Sequence, residues 1–264
     1  MTADLPARVE AVFTTFLDAV PDGLVSGLYL RGGLAFGEWV EGHSDVDFTA
    51  VLAHRPSADD ASALQAAHEV VGSTYGGSPR FEGVHVLASD LARHPDACPD
   101  MPTASMRGFL EADRFDLSPV SWHELAGHGI TFFGSPLESL PIWSDDRVLR
   151  DLTIDNLDTY WRRRAESCAA DPAGAASEVA CEWVVPGVAR LHHLRVTGEQ
   201  TAKSLAARWG LGFYPEQWHR VLRESLWVRV GAFGAQYDDL AERGADVTAF
   251  AAYVVERGVS LRPG

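Results

Sequence analysis

LYLRGGLAFGEWVEGHSDVDFTAVL, residues 28–52, holds the pattern that decides the fold. It reads as a short apolar strand, a Gly-Gly turn, a polar loop and a second apolar strand that opens with Asp45 and Asp47. Alternate residues of an extended chain share one face and lie roughly 6.5 Å apart, so the two aspartates project side by side. Val46 and Phe48 then point the other way, into a core. The stretch predicts two strands with a carboxylate pair at the start of the second.

Two adjacent carboxylates are costly unless a positive charge lies between them, and the sequence around the pair offers no cation for that place. A divalent metal, which takes hard oxygen ligands, is the candidate. Gly32 and Gly33 follow the first strand and precede a helix start, which puts backbone N–H groups where a phosphate binds. The turn is neither a Walker loop nor a GxGxxG dinucleotide turn. Together these features are compatible with a metal–phosphate site.

A third carboxylate lies on the next predicted strand, Phe81–Leu87. Glu82 shares a strand face with the apolar residues Val84 and Val86. A carboxylate in such a place is either at a solvent-exposed strand end or part of a buried polar site, and both interpretations stay open at this point.

The pattern of elements predicts an α+β domain over residues 1–150 and an all-helical domain over residues 151–264. Residues 88–118, with three prolines, are predicted to be irregular. Pro186 is expected to kink a helix or to mark its start. The predicted elements are, in order, a helix 7–19 capped by Asp4, strands 27–31 and 46–53, a helix 58–74 capped by Ser57, strand 81–87, a helix from 119 to 129, a strand and turn from 130, and helices 151–169, 177–196, 201–209, 215–231 and 246–257.

Composition excludes several classes of protein. The net charge of −15 argues against a nucleic-acid partner and suits a cationic ligand or plain solubility. Residues 1–150 carry 22 acidic and 9 basic residues, against 15 and 13 in the remainder. No apolar run is long enough to span a membrane, no secretory signal is evident, and the three cysteines are far apart, so the sequence predicts a cytoplasmic protein with reduced thiols.

Two further patterns bear on function. The string HELAGH at residues 123–128 has histidines five apart, not the four that a zinc helix requires, so it predicts no metal site. Of the 22 basic residues only Lys203 is a lysine, which suggests a place that an arginine fork cannot fill.

The spacing of these motifs resembles the signature of the nucleotidyltransferase superfamily. Eleven residues separate the Gly-Gly turn from Asp-x-Asp, and Glu82 follows 35 residues after Asp47. Similarity to the aminoglycoside nucleotidyltransferases of the streptomycin/spectinomycin adenylyltransferase type extends over nearly the whole chain. Three segments carry it: SPVSWHELAGHGITFFG at 118–134, CEWVVPGVARLHHLRVTGEQTAKSLAARWGL at 181–211 and FAAYVVERG at 250–258.

The resemblance implies a nucleotidyltransferase-fold mixed sheet with flanking helices, followed by a helical domain that closes over substrate and nucleotide. It implies Mg²⁺ and, as co-substrate, ATP, together with a cationic aminoglycoside or aminocyclitol as acceptor, with neither nucleic acid nor membrane as partner. Each predicted site residue then has a role. Asp45 and Asp47 hold the metal, Glu82 is the general base, Gly32, Gly33 and Ser44 cradle phosphate oxygens, and Arg190 and Lys203 reach the nucleotide from the helical domain.

The chain also departs from the family. Many members have Gly-Ser where this chain has Gly32 and Gly33, which removes one hydroxyl donor to phosphate. The segments 103–116 and 172–183, where drug contacts are expected, align ambiguously, so the drug and its hydroxyl stay open. Two alternatives remain: an adenylyltransferase with another small-molecule or protein acceptor, and a nucleotide-binding module without catalysis.

Overall fold

The computed structural model describes residues 5–261 and divides the chain into two compact units, 1–145 and 146–264. Asp4, the predicted cap of the first helix, lies outside the described residues. The first unit contains the helices α1 (Ala7–Ala19), α2 (Gly32–Ala35), α3 (Ala58–Tyr75), α4 (Ala88–Leu91) and α5 (Pro119–His128), and the strands β1 (Val25–Arg31), β2 (Val46–Leu52), β3 (Phe81–Leu87), β4 (Met101–Ser105), β5 (Gly108–Asp113) and β6 (Ile130–Phe133).

The strands form one mixed sheet in the order β5-β4-β3-β2-β1-β6. β2 and β3 are parallel, and every other neighbouring pair is antiparallel. A parallel pair needs a crossover, which α3 supplies. Ser57 caps α3 through its hydroxyl, as predicted, and Asp60 completes the capping box. This connection brings the starts of β2 and β3, and with them the predicted carboxylates, to one end of the sheet.

The core of the first unit lies between the sheet and the helices α1 and α3. Phe13 and Phe16 of α1 pack against Phe48 of β2 and Phe81 of β3, with ring centroids 5.2 to 6.0 Å apart. Burying such rings contributes about 1.5–3 kcal/mol each, which holds α1 against the two parallel strands.

The prediction that residues 88–118 are irregular is wrong. The segment contains α4, a short 3₁₀ turn at Pro95–Ala97, β4 and β5. Pro102 lies within β4, but β4 bonds β3 only through Ala104 and Thr103, so the missing proline N–H costs the ladder nothing. β5 is an edge strand with no buried side chain, and so lacks the alternation that identifies a strand.

The described residues of the second unit form helices joined by loops, and they contain no strand. Its helices are α6 (Asp146–Asn156), α7 (Arg162–Ala170), α8 (Pro172–Ala175), α9 (Glu178–Thr197), α10 (Lys203–Phe213), α11 (His219–Val230) and α12 (Leu240–Ser260). A π-helical turn, Leu157–Trp161, joins α6 to α7, and Glu216–Trp218 forms a 3₁₀ turn before α11.

The central helix α9 buries half of its residues against its neighbours. Val184 and Val188 of α9 are inaccessible, as are Phe250 and Val254 of α12. Pro186 lies inside α9 and does not mark its start, because the helix begins at Glu178 after the Ser177 cap. The other boundaries agree with the sequence to within a few residues except for α12, which begins six residues before the predicted 246.

The predicted α+β class, a mixed sheet followed by a helical C-terminal part, is confirmed. That residues 1–150 act as the nucleotidyltransferase domain and 151–264 as the closing domain stays a prediction. Within the described residues no helix is both long and apolar enough to cross a membrane.

Candidate active site

Three charged side chains form one row across the sheet. Arg31 at the end of β1 lies opposite Asp47 of β2, and Asp47 lies opposite Glu82 of β3. Directly opposed residues on neighbouring strands share a face, with Cβ atoms about 5 Å apart. Val46 and Phe48 are buried on the other face, as predicted. The fold thus brings one predicted metal ligand beside the predicted base.

Asp45, just before β2, is bound by an arginine that sequence reasoning missed. Nη2 of Arg80 lies 2.6 Å from Oδ2 of Asp45, and Nε of the same side chain lies 3.1 Å from Oε1 of Glu82. The sequence around the pair offers no cation, and the fold supplies one from the residue that precedes β3. Arg80 and Asp45 are 35 residues apart in sequence, and only the parallel pairing of β2 with β3 makes them neighbours.

Arg31 is the second missed cation. Only 4% of its side chain is exposed, and it forms ion pairs with Asp116 and Glu124. Its Nε also donates a hydrogen bond to the carbonyl oxygen of Phe48 at 3.3 Å. The sequence signal that could have identified Arg31 is a charged residue at the end of an apolar strand. The network fixes the end of β1 against the segment that precedes α5.

Replacing Arg31 by leucine is expected to lower the free energy of unfolding by about 3 kcal/mol, because removing one partner of a buried ion pair leaves its carboxylates uncompensated. Urea denaturation at neutral pH measures the loss. The matched control is Arg107→Leu, which removes an ion pair to Asp113 from a side chain that is 61% exposed. Its cost should stay below about 1 kcal/mol. Equal losses in the two variants would show that burial of the Arg31 network adds nothing.

The carboxylates of the row are crowded, and their pKa values show it. Burial, together with Asp116, Glu124 and Asp45, raises the pKa of Asp47 to about 7, although Arg31 opposes the shift. The pKa of Glu82 is also raised, first by burial and then by Asp45 and Asp116, against the opposing charge of Arg80. Both groups therefore gain from an added cation, and Glu82 is a better proton acceptor than an exposed glutamate.

The histidines near β3 are not alternative bases. His85 is buried on the opposite face of the strand, where its Nε2 lies 3.3 Å from Nε2 of His68. Burial lowers the pKa of His85 to about 4 and holds that of His68 well below its usual value. Both rings are neutral at pH 7 and belong to the aromatic core beneath the sheet.

The Gly-Gly turn is shaped by the carboxylate beside it. Gly32 has a left-handed φ of 68°, and a Cβ atom there would overlap the Asp47 carboxylate. Gly33 has no such φ, and its Cβ atom would lie 3.3 Å from the carbonyl oxygen of Glu38. Gly32 is therefore required by the backbone and by Asp47, whereas Gly33 tolerates a small side chain after a slight shift.

Gly32→Ala is expected to lower the free energy of unfolding by about 1–3 kcal/mol, the cost of a strained backbone and a displaced carboxylate. Gly33→Ala is the matched control in the same turn and should change stability by less than about 1 kcal/mol. Thermal and urea unfolding of the pair measure the difference. If Gly32→Ala proved as stable as Gly33→Ala, the close packing of Asp47 on this turn would be refuted.

Ser44, a predicted phosphate ligand, lies in the loop before Asp45. Its Oγ accepts a hydrogen bond from the Val40 N–H at 3.0 Å, and its own N–H donates to the Val40 carbonyl at 2.8 Å. Because the Ser44 hydroxyl is the acceptor in the first of these bonds, its own hydrogen can still be donated to another group. The loop therefore holds Ser44 in place, and its role toward phosphate stays a prediction.

Arg190 and Lys203, the predicted nucleotide contacts, both lie in the second unit. Arg190 is exposed on α9, and Lys203 is the first residue of α10. The Lys203 ammonium group lies 4.2 Å from the centroid of the Trp183 ring, a cation–π arrangement that fixes the side chain. Their action on a nucleotide stays a prediction.

Comparisons with known proteins bear on both units. Residues 166–257 match the family model described as "Aminoglycoside adenylyltransferase, C-terminal domain". No curated protein sequence matches the chain. Among solved structures, the chain is similar to spectinomycin adenyltransferase AAD(9) from Enterococcus faecialis, a crystal structure with ATP and spectinomycin. The TM-score is 0.61 at 12% sequence identity, and the match covers 94% of this chain and 98% of that one.

The structural similarity shows that this chain has the fold of an adenyltransferase. Residues 166–257, within the second unit, carry the match to the aminoglycoside adenylyltransferase C-terminal domain. The predicted resemblance to the aminoglycoside nucleotidyltransferases is thereby confirmed.

Proposed function

We propose that this protein transfers AMP from ATP to a hydroxyl of an aminoglycoside-type antibiotic of the streptomycin/spectinomycin class and releases pyrophosphate. The observation that carries the proposal is the register of Asp47 opposite Glu82, with Asp45 beside them and the Gly32 turn packed on Asp47. The family match of residues 166–257 supports the acceptor class, and the structural neighbour, which contains ATP and spectinomycin, supports the pair of substrates.

The donor set fits Mg²⁺. Asp45 and Asp47 offer hard carboxylate oxygens, and the crowding that raises the pKa of Asp47 to about 7 is relieved by a cation. Residues 5–261 contain no group of three or more His, Cys, Asp or Glu side chains gathered for a metal. Mg²⁺ characteristically uses one or two carboxylates plus substrate phosphates. Asp45 and Asp47 would hold the metal, and the phosphates of ATP would supply further oxygen ligands.

In the proposed reaction the acceptor hydroxyl attacks the α-phosphorus of ATP in line, and pyrophosphate leaves. Bound Mg²⁺ supplies charge neutralisation at the phosphoryl group and the leaving group. Asp45 and Asp47 hold the metal. Glu82 takes the proton of the attacking hydroxyl, and burial, which raises its pKa, makes it a better proton acceptor, although the positive charge of Arg80 lies 3.1 Å from Oε1.

The remaining predicted residues act on the substrates. Gly32, Gly33 and Ser44 bind phosphate oxygens through backbone N–H groups and a hydroxyl. In the second unit, Arg190 and Lys203 supply positive charge to the nucleotide. The excess of acidic residues in the first 150 positions attracts a polycationic drug and raises its local concentration.

The test is incubation of the wild-type protein with ATP, Mg²⁺ and single drugs from a panel that includes streptomycin and spectinomycin. We expect drug-dependent pyrophosphate release and an AMP adduct on the drug by mass spectrometry. An adduct on another small molecule or on a protein, with none on any drug, would move the acceptor to the first alternative. Calorimetric ATP binding with no turnover of any acceptor would leave a nucleotide-binding module.

A further inference from the structure

The contacts of Arg80 place a permanent positive charge between two carboxylates of the candidate site. Its guanidinium lies 2.6 Å from Oδ2 of Asp45 and 3.1 Å from Oε1 of Glu82. A guanidinium stays protonated in a protein, so the contact persists over the working pH range. Arg80 is the one side chain that pairs with both of these carboxylates in the ion pairs recorded for residues 5–261.

The Asp45 carboxylate would be shared by two cations, the Arg80 guanidinium and the metal. The lone pairs of Oδ2 that face Arg80 are engaged by its N–H group, and a metal bound at Asp45 uses the same carboxylate. Two cations that share one carboxylate repel each other, so each weakens the binding of the other.

Arg80 is built to leave this position at little cost. Its side chain is 49% exposed, and the residue precedes β3 and is not inside it. Half-exposed ion pairs contribute roughly 0–1 kcal/mol, far less than the buried Arg31 network contributes. The guanidinium can therefore move into solvent while the core and the sheet stay in place.

We propose that Arg80 is a positioning residue that competes with the divalent metal for Asp45. Until the metal binds, the Arg80 guanidinium also holds the Glu82 carboxylate near Asp45. The proposal rests on the proposed function, since it takes Asp45 as a metal ligand. Because of this competition, the metal binds weakly to the protein without nucleotide. Tight metal binding then depends on the phosphate oxygens that a bound nucleotide adds. Arg80 thereby favours the order in which metal and nucleotide arrive together.

The experiment is a titration of the full-length protein with Mn²⁺ alone, without nucleotide or drug, followed by electron paramagnetic resonance of the unbound metal. Arg80→Gln is expected to bind Mn²⁺ about fivefold more tightly than the wild type, the scale of a removed half-exposed ion pair. The matched control is Arg93→Gln, which removes the same charge from a side chain that is 47% exposed and pairs with Asp90. It should bind Mn²⁺ with the wild-type affinity.

A merely structural role of Arg80 gives the opposite sign, because loss of an orienting contact at Asp45 would weaken metal binding. Weaker or unchanged Mn²⁺ affinity in Arg80→Gln, or an equal gain in Arg93→Gln, would overturn the proposal. Circular dichroism checks that each variant is folded. Should Arg80→Gln fail that check, Arg80→Met takes its place, since it also removes the charge and keeps an unbranched side chain, and a gain in affinity is again expected.

The outcome separates this inference from the proposed function. If the wild type adds AMP to no drug while Arg80→Gln still binds Mn²⁺ more tightly, the competition stands and the acceptor assignment fails. If the wild type modifies a drug while Arg80→Gln shows no gain in affinity, the function stands and the competition is refuted.

Discussion

Replacing Glu82 by glutamine is expected to lower kcat for AMP transfer about a thousandfold, within the range that a positioned general base contributes. The amide keeps the size of the side chain and loses only its ability to accept the hydroxyl proton. Glu82 is mostly buried at the start of β3, and its ion-pair partner Arg80 is half-exposed, so the uncharged amide should be tolerated and the variant should fold and bind ATP as the wild type does. Steady-state pyrophosphate release measures kcat, and calorimetry measures ATP binding.

The matched control for this variant is Glu10→Gln. Glu10 lies exposed on α1, so the same chemical change there should leave kcat within a factor of about two. A Glu82→Gln enzyme with more than a tenth of wild-type activity would place the base elsewhere. Loss of ATP binding together with activity would assign Glu82 to the nucleotide site instead.

Replacing Asp47 by asparagine is expected to reduce AMP transfer by more than about a hundredfold, because the metal supplies several kcal/mol of charge stabilisation and loses a ligand. The defect should appear as a raised Mg²⁺ requirement as well as a lower kcat. Asp96→Asn is the control, since its carboxylate is 81% exposed on the 3₁₀ turn after α4. It should leave both quantities unchanged.

Asp47→Asn should also change the free energy of unfolding. It is expected to raise stability, although it lowers activity. The pKa of Asp47 is raised from 3.8 to about 7 in the folded protein, so between those values the folded state holds a proton that the unfolded state releases. Wild-type stability should therefore fall as pH rises from about 4 to 7, relative to Asp47→Asn. Thermal unfolding in the presence of a chelator measures this difference. An Asp47→Asn protein that is less stable than the wild type above pH 7 would mean that attraction to Arg31 outweighs the cost of burial.

The sequence predicted the strands that carry the carboxylates to within two residues, because β1, β2 and β3 have buried apolar runs bounded by turns. It failed over 88–118 for a physical reason. Pro102 interrupts the pattern of β4, and β5 buries none of its side chains, so neither shows the alternation that identifies a strand. The early start of α12 was missed because its first turn, after the Asp239 cap, is largely exposed.

The candidate site was predictable where residues are close in sequence and unpredictable where they meet through the fold. Asp45 and Asp47 share a face because of strand geometry alone. The pairing of Asp47 with Glu82 needs the register of β2 and β3, and the sequence fixes no register across a crossover. Arg80 lies only two positions from Glu82, and it went unrecognised because its second partner, Asp45, becomes its neighbour only when the parallel strands pair.

The buried cation Arg31 is a second residue whose partners the sequence could not identify. It was visible in the stretch 28–52 as the last residue of an apolar strand. Its partners, Asp116 and Glu124, come from a segment and a helix about 90 residues further along the chain. Helical and strand periodicity report which face a residue occupies, and they do not report which distant element covers that face.

The central claim is that this protein adenylylates an aminoglycoside-type drug with Glu82 as the base. The most direct test is mass spectrometry of streptomycin and of spectinomycin after incubation with ATP, Mg²⁺ and either the wild-type protein or Glu82→Gln. We predict an AMP adduct on at least one of the two drugs with the wild type and only a trace with the variant. Unmodified drugs in both reactions, or equal adduct formation by the two proteins, would contradict the claim.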